Sequence, residues 1–66
     1  MRTYMIVIQD RNTNEEDAIF FNSAVATAGA IGYLLDDEEM RVELYKRGAW
    51  GYERANISDE LSEYFN

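Results

Sequence analysis

The sequence predicts an α+β fold: a small antiparallel sheet of two hairpins, with one amphipathic helix packed on it and a short C-terminal helix. Short β-favouring segments occur in two pairs separated by turn residues, and one stretch of helical period lies between the pairs. The chain has 66 residues, 47% of them hydrophobic, which predicts one folded domain spanning residues 1–66. It contains no cysteine and no histidine, so neither a disulfide nor a zinc site of the usual kind supports the thin core. We therefore expect a homodimer, in which a second apolar face is buried.

The first predicted strand covers residues 4–9 and is apolar on both faces. Tyr4, Ile6 and Ile8 share one face, whereas Met5 and Val7 share the other. A strand of this kind is normally central and is covered on both sides, by its own chain or by a partner.

The polar residues 10–16 have turn composition and precede residues 18–21, which favour a β-strand. This pattern predicts the first hairpin. In an alternative interpretation, Thr13 and Glu16 form a capping box and a helix runs onward. Against it, residues 19–21 (Ile-Phe-Phe) are poor helix formers.

The helix is predicted from about Ser23, with Asn22 or Ser23 as its N-cap. Apolar residues recur at helical spacing and form one stripe: Ala24, Ala28, Ile31 and Leu35, widened by Val25 and Leu34. Gly29 and Gly32 each cost about 1 kcal/mol relative to alanine. We expect close packing on the sheet or on another helix to compensate, rather than a functional hinge.

Residues 41–46 alternate and predict a third strand, after which residues 47–49 turn the chain. Trp50, Tyr52 and Arg54 then share a face of the return strand. This completes the second hairpin.

The last predicted element is a short helix capped by Ser58. Its apolar residues, Leu61, Tyr64 and Phe65, are spaced to face inward.

Most catalytic chemistry is excluded by composition. General acid–base catalysis near neutral pH most often uses histidine, and the strongest uncoordinated nucleophile, cysteine, is also missing. The serines lie in no nucleophile-elbow pattern, and the acidic run at residues 36–39 lacks the spacing of a calcium loop. We expect a protein that is not an enzyme, with no catalytic residues, no metal and no cofactor. The absence of a membrane-spanning stretch and of a signal-peptide pattern predicts a cytoplasmic protein with no membrane partner.

The acidic residues number thirteen against six basic ones, a net charge of −7, and most of them are grouped. We name three groups: the hairpin cluster (Glu15, Glu16, Asp17), the turn cluster (Asp36, Asp37, Glu38, Glu39) and the C-terminal cluster (Asp59, Glu60, Glu63). A folded acidic surface can occupy the basic groove that binds DNA phosphates. These ten residues are the predicted partner-binding site. The alternative is an acidic surface that serves solubility alone.

The second hairpin combines basic and aromatic residues, which can bind single-stranded nucleic acid by phosphate pairing and base stacking. The interpretation we favour is that Trp50 belongs to the core and that the basic residues balance Glu43 and Glu53 across strands. The field of an acidic molecule repels nucleic acid, so no direct nucleic-acid contact is expected. A further alternative is an adaptor that binds through the sheet face containing Met5 and Val7.

The order of YMIVI (residues 4–8), AIFF (18–21), one helix and RVELYK (41–46) resembles small phage-encoded early proteins. Several of those are acidic inhibitors of host nucleic-acid-binding proteins, some acting as DNA mimics and some as dimers. The resemblance implies a host-takeover inhibitor in the bacterial cytoplasm. Its implied partner is a basic DNA-binding protein of the host, such as a histone-like nucleoid protein.

Overall fold

The computed structural model describes residues 3–65, and its architecture is the predicted α+β class. A four-stranded antiparallel sheet, in the order β2-β1-β3-β4, carries one helix and a short C-terminal helix. The elements are β1 (Tyr4–Asp10), β2 (Glu16–Phe21), α1 (Ala24–Leu35), β3 (Met40–Gly48), β4 (Gly51–Ala55), α2 (Ile57–Leu61) and a 3-10 turn (Ser62–Tyr64).

Strand β1 is central, as its two apolar faces predict. Ile6 pairs with Ile19 of β2 and with Leu44 of β3, so these residues form one row across the sheet. The face that contains this row packs against α1. The opposite face, which we call the open face, contains Met5 and Val7 and bears no helix in the described chain.

The core lies between α1 and the two central strands. Its fully or nearly buried apolar side chains are Tyr4, Ile6, Ala28, Ile31, Leu44 and Leu61. Thr27 is buried among them, and its hydroxyl donates a hydrogen bond of 2.7 Å to the Ser23 carbonyl. A polar group without such a partner would destabilise so small a core.

Helix α1 begins as predicted, because Ser23 Oγ accepts a hydrogen bond of 3.2 Å from the Ala26 amide. The buried stripe is narrower than predicted. Val25 is 63% exposed and Leu35 is 54% exposed, since the sheet is contacted only by the side of the helix around Ile31.

The two helix glycines differ in their surroundings. A Cβ at Gly32 would lie 3.7 Å from the Phe65 ring, so this half-buried glycine lies against the C-terminal segment, as the expected packing requires. A Cβ at Gly29 would meet no atom within 4 Å. Close packing was therefore the wrong expectation for Gly29 within the described chain, and its helix-destabilising cost is uncompensated there.

The second hairpin turns later than predicted because β3 continues to Gly48, which pairs with Gly51. Ala49 and Trp50 form the tip of the turn. Gly51 has φ 121°, in the region that favours glycine, so the turn depends on a residue without Cβ at this position.

The C-terminal helix is capped by Asn56, whose side-chain oxygen accepts a hydrogen bond of 3.2 Å from the Asp59 amide. The prediction of Ser58 as the cap was wrong by two residues. Of the three residues expected to face inward, only Leu61 is buried, whereas Tyr64 and Phe65 are each 41% exposed. The helix tightens to a 3-10 turn after Leu61, which changes the period and moves later side chains off the buried face. Within residues 3–65, no helix is long and apolar enough to cross a membrane.

Candidate functional site

The structure brings the hairpin cluster and the turn cluster to the same end of the sheet. Gln9 of β1 pairs with Glu16, and the next residue, Asp10, pairs with Met40, directly after the turn cluster. The Arg11 amide donates a hydrogen bond of 2.8 Å to the Glu39 carbonyl, which joins the two loops. We call this region the acidic end.

The loop of the first hairpin is fixed by side chains that bond to its backbone. Asp10 Oδ1 accepts a hydrogen bond of 2.8 Å from the Asn12 amide, and Thr13 Oγ1 accepts one of 3.3 Å from the Glu15 amide. Asn14 has φ 63°, a conformation that asparagine tolerates better than most residues. The polar run that predicted a turn therefore also positions the hairpin cluster.

The turn cluster is ordered in a similar way. The Asp37 amide donates to the Leu34 carbonyl at 3.1 Å, and Asp37 Oδ1 accepts a hydrogen bond of 2.9 Å from the Glu39 amide. The four residues lie after α1, and together with Tyr33 they line a shallow surface depression. They thus form a structured acidic loop at the negative end of the helix dipole.

Within residues 3–65, none of the seven carboxylates in these two clusters has an ion-pair partner. All seven side chains belong to exposed residues. No direct ion pair therefore cancels their negative potential, although Arg11 and Arg41 lie at the same end of the sheet. The cluster members do not share one face of the sheet, however, because Glu16 and Asp17 are consecutive in β2 and point to opposite sides.

The C-terminal cluster lies elsewhere, on α2 and the 3-10 turn beside the other end of the sheet. Lys46 pairs with Tyr4 at that end of β1, and Lys46 Nζ forms an ion pair of 3.1 Å with Glu60 Oε2. The hydrogen bond and the charge of Glu60 raise the pKa of Lys46 above its usual value. Glu60 is thus partly neutralised, and the ten predicted residues do not form one continuous site.

Tyr64 lies beside another member of the C-terminal cluster. Its hydrogen bond with Glu63, followed by the charge of Glu63, raises the pKa of the Tyr64 hydroxyl. Glu63 therefore has a hydrogen-bond partner within its own segment.

The open face holds a charged network that the sequence pattern did not identify as a site. Glu43 forms one ion pair of 3.3 Å with Arg41 Nη2 and another of 3.3 Å with Arg54 Nη1. The Tyr45 hydroxyl donates to Glu43 Oε2 at 3.4 Å. The expected balance across strands is present for Glu43, through Arg54 of β4, whereas Glu53 has no ion pair among the described residues. Arg41 pairs with Glu43 within β3, and the two arginines leave the network net positive.

The placement of Trp50 in the core was wrong. Its side chain is 95% exposed at the tip of the second hairpin. The cause is the longer β3, which moves the turn onto Ala49 and Trp50 and leaves Tyr52 and Arg54 on the open face.

Aromatic side chains from the two edge strands meet over the open face. The ring centroids of Phe20 and Tyr52 are 5.6 Å apart. They belong to the two edge strands, which a flat sheet would separate by about 14 Å, given a strand spacing of about 4.8 Å. The sheet and these side chains therefore curve over the intervening strands. Met5 and Val7 are half-buried beneath this layer, and binding of a partner through this face stays an untested alternative.

No group of three or more metal-ligating side chains converges in the part of the chain that the structure describes. No known family model, curated protein or solved structure matches the sequence. The functional conclusion therefore depends on the surface of this molecule alone.

Proposed function

We propose that this protein is a non-enzymatic inhibitor whose acidic end occupies the DNA-binding surface of a basic host protein. The observation that carries the proposal is that the hairpin and turn clusters meet at one end of the sheet. Their seven carboxylates are exposed, and none of them forms an ion pair with a described residue. The proposed site is therefore smaller than the ten acidic residues considered together.

The physical support is electrostatic. A basic protein binds duplex DNA largely through phosphate charge, so any rigid surface of dense negative charge can compete for the same groove. The backbone hydrogen bonds around Asp10 and Asp37 hold both loops in place. A pre-ordered surface loses less conformational entropy on binding than a flexible acidic tail would.

The proposal extends to a homodimer acting in the cytoplasm of a bacterial host. The support for a dimer is the small core, in which six apolar side chains are buried.

The experiment is a capture from bacterial lysate at low and high salt, followed by DNA displacement from the captured protein. We expect capture that weakens at high salt, and release of labelled duplex DNA as this protein is titrated in. If the captured protein binds DNA and this protein never displaces it, the proposal is wrong.

A second candidate function is supported by the exposure of Trp50. An exposed tryptophan at the tip of the second hairpin, with Arg47 and Arg54 on the open face of its two strands, is suited to stacking on a base and pairing with a phosphate. Trp50 is the only tryptophan, so its emission reports this binding directly. Quenching by single-stranded oligonucleotides at low salt, lost in Arg54→Ala, would favour this function over the first.

A further inference from the structure

Helix α1 has an outer face that is apolar and unpartnered in the described chain. The twelve residues of α1 include no charged side chain. Val25, Ala26, Gly29 and Tyr33 face away from the sheet, with Tyr33 82% exposed and Val25 63% exposed. A surface helix normally has polar residues on this side, and a helix that is apolar all round is normally buried. We call Val25, Ala26, Gly29 and Tyr33 the outer face of α1.

Gly29 indicates what kind of structure covers this face. It lies at the middle of α1, with Val25 four residues before it and Tyr33 four residues after it. Its outward side is open, since an added Cβ would meet nothing within 4 Å. A glycine in a helix interior is unfavourable, but it allows another backbone to approach closely, as happens where two helices cross at a small residue.

We infer that the outer face of α1 binds the same face of a second copy of this chain, in a two-fold symmetric, near-antiparallel helix pair crossing at Gly29. The symmetry places Val25 against the partner's Tyr33, and Tyr33 against the partner's Val25. This inference rests on the homodimeric part of the proposed function, and it uses Tyr33, which also lies beside the turn cluster.

The local charge pattern of α1 and its two ends is self-complementary, which fits a second copy as the occupant despite the net charge of the molecule. Two molecules of net charge −7 repel each other, and the uncharged α1 lets them approach with no charged side chain at the contact. The first turn of α1 contains no acidic residue, so the positive end of its dipole is uncompensated, and the turn cluster follows its other end. Antiparallel pairing brings each turn cluster near the partner's first turn, where negative charge is stabilising.

The contact is small, because a helix of twelve residues is about 18 Å long. We expect a dissociation constant on the order of micromolar, as is typical of interfaces below the standard size. The dimer would display its two turn clusters at opposite ends of the helix pair, and so present two acidic ends to a partner.

The direct test is disulfide cross-linking, since the chain has no cysteine of its own. Val25→Cys and Tyr33→Cys are mixed in equal amounts, so that one thiol from each variant meets across the helix pair, and oxygen with a copper–phenanthroline catalyst removes two electrons and two protons to form the bond. The matched control is Val25→Cys mixed with Trp50→Cys, at a site that is 95% exposed and outside α1. Rapid cross-linking between Val25→Cys and Tyr33→Cys alone is the expected result. Equal or faster cross-linking in the mixture with Trp50→Cys would overturn the inference.

Sedimentation equilibrium provides a second test that does not require a new bond. We expect a concentration-dependent dimer for the wild type, and a dissociation constant at least about tenfold higher for Tyr33→Glu, with Trp50→Glu unchanged. Gly29→Ala separates folding from assembly. In the monomer the added methyl enters open space and favours the helix, whereas at the crossing point it holds the helices apart.

Circular dichroism measures whether each variant is folded. If Tyr33→Glu does not fold, Gly29→Ala still tests the dimer, because it should raise the dissociation constant without unfolding the monomer. A wild type that is monomeric at its highest soluble concentration would overturn the inference and leave the outer face of α1 to another occupant. A monomer that still displaces DNA would contradict only this inference. A dimer that displaces no DNA would contradict only the acidic-end proposal.

Discussion

Glu43 is the residue on which the polar contacts of the open face converge. Replacing it by glutamine keeps the size of the side chain but removes the counter-charge of Arg41 and Arg54. Because both arginines are more than half exposed, we expect a loss of only about 0.5–1 kcal/mol in unfolding free energy. Urea denaturation measures it. Glu53→Gln, an exposed site without an ion pair in the described chain, is the control, and an equal loss in both variants would contradict the network.

Asn56 and Ser58 provide a test of where α2 begins. Asn56→Ala removes the oxygen that accepts the Asp59 amide hydrogen bond, and we expect a loss of about 1 kcal/mol. Ser58→Ala should change the unfolding free energy by no more than a few tenths of a kcal/mol, since Ser58 is already inside the helix. Urea denaturation of both variants measures the difference. A larger loss for Ser58→Ala would show that the helix begins at the originally predicted cap.

Trp50 shows why some residue positions could not be predicted from the sequence. Large aromatic side chains are highly buried on average in folded domains, and this average favoured the core as the position of Trp50. Its actual position depends on which two residues occupy the hairpin tip. The flanking glycines at 48 and 51 were the available signal, because glycines on both sides of a dipeptide are typical of a tight turn.

At the scale of the element, the Lys46–Glu60 ion pair ties α2 to β3 and has a defined dependence on pH. Since the pKa of Lys46 is raised, the pair stabilises the fold fully below the unfolded lysine value of 10.5. That stabilisation is lost as the pH rises through the higher folded value.

Glu60→Gln removes the negative charge that pairs with Lys46, so its unfolding free energy is compared with that of the wild type. The wild type should be slightly more stable from neutral pH to about pH 10, and the difference should vanish at higher pH. Denaturation at a series of pH values measures it, with Glu53→Gln as the control that shows no such change. A difference that grows with alkaline pH would contradict the assignment.

The elements themselves were largely predictable because each one is specified by a local period. The apolar run of β1, the alternation in β3 and the cap at Ser23 are signals contained within a few residues. The exposure of Val25 and the outward turn of Tyr64 were not predictable in this way. The exposure of Val25 depends on how far the sheet extends beneath α1, and that of Tyr64 on the change to a 3-10 turn after Leu61. No local period determines either.

The whole molecule is dominated by its uncompensated charge. Of thirteen acidic residues, only Glu43 and Glu60 have ion pairs within residues 3–65. Screening by salt should therefore relieve more repulsion than it removes attraction. We expect moderate concentrations of sodium chloride to raise the unfolding free energy by about 1 kcal/mol or less, as measured by thermal or urea denaturation. A fall in stability with salt would mean that attractive pairs dominate.

The position of the acidic end follows from topology, and the sequence alone did not provide it. Three acidic groups were visible in the chain, but their distribution depends on the strand order β2-β1-β3-β4. That order places the first hairpin loop and the loop after α1 at the same end, while α2 folds back beside Lys46. The sequence identified the charges, and only the paired strands showed which of them lie together.

The most direct test of the central claim is DNA displacement from the captured partner by two variants of equal charge. The first variant neutralises Asp36, Glu38 and Glu39 at the acidic end, leaving Asp37 to hold the loop. The second neutralises Glu53, Asp59 and Glu63, which are exposed and lie outside that end.

Both variants carry the same net charge, so any difference reports the local surface. We expect the acidic-end variant to need at least about a tenfold higher concentration to displace half of the DNA, while the other variant stays close to the wild type. Equal displacement by the two variants would contradict the claim that the acidic end performs the binding.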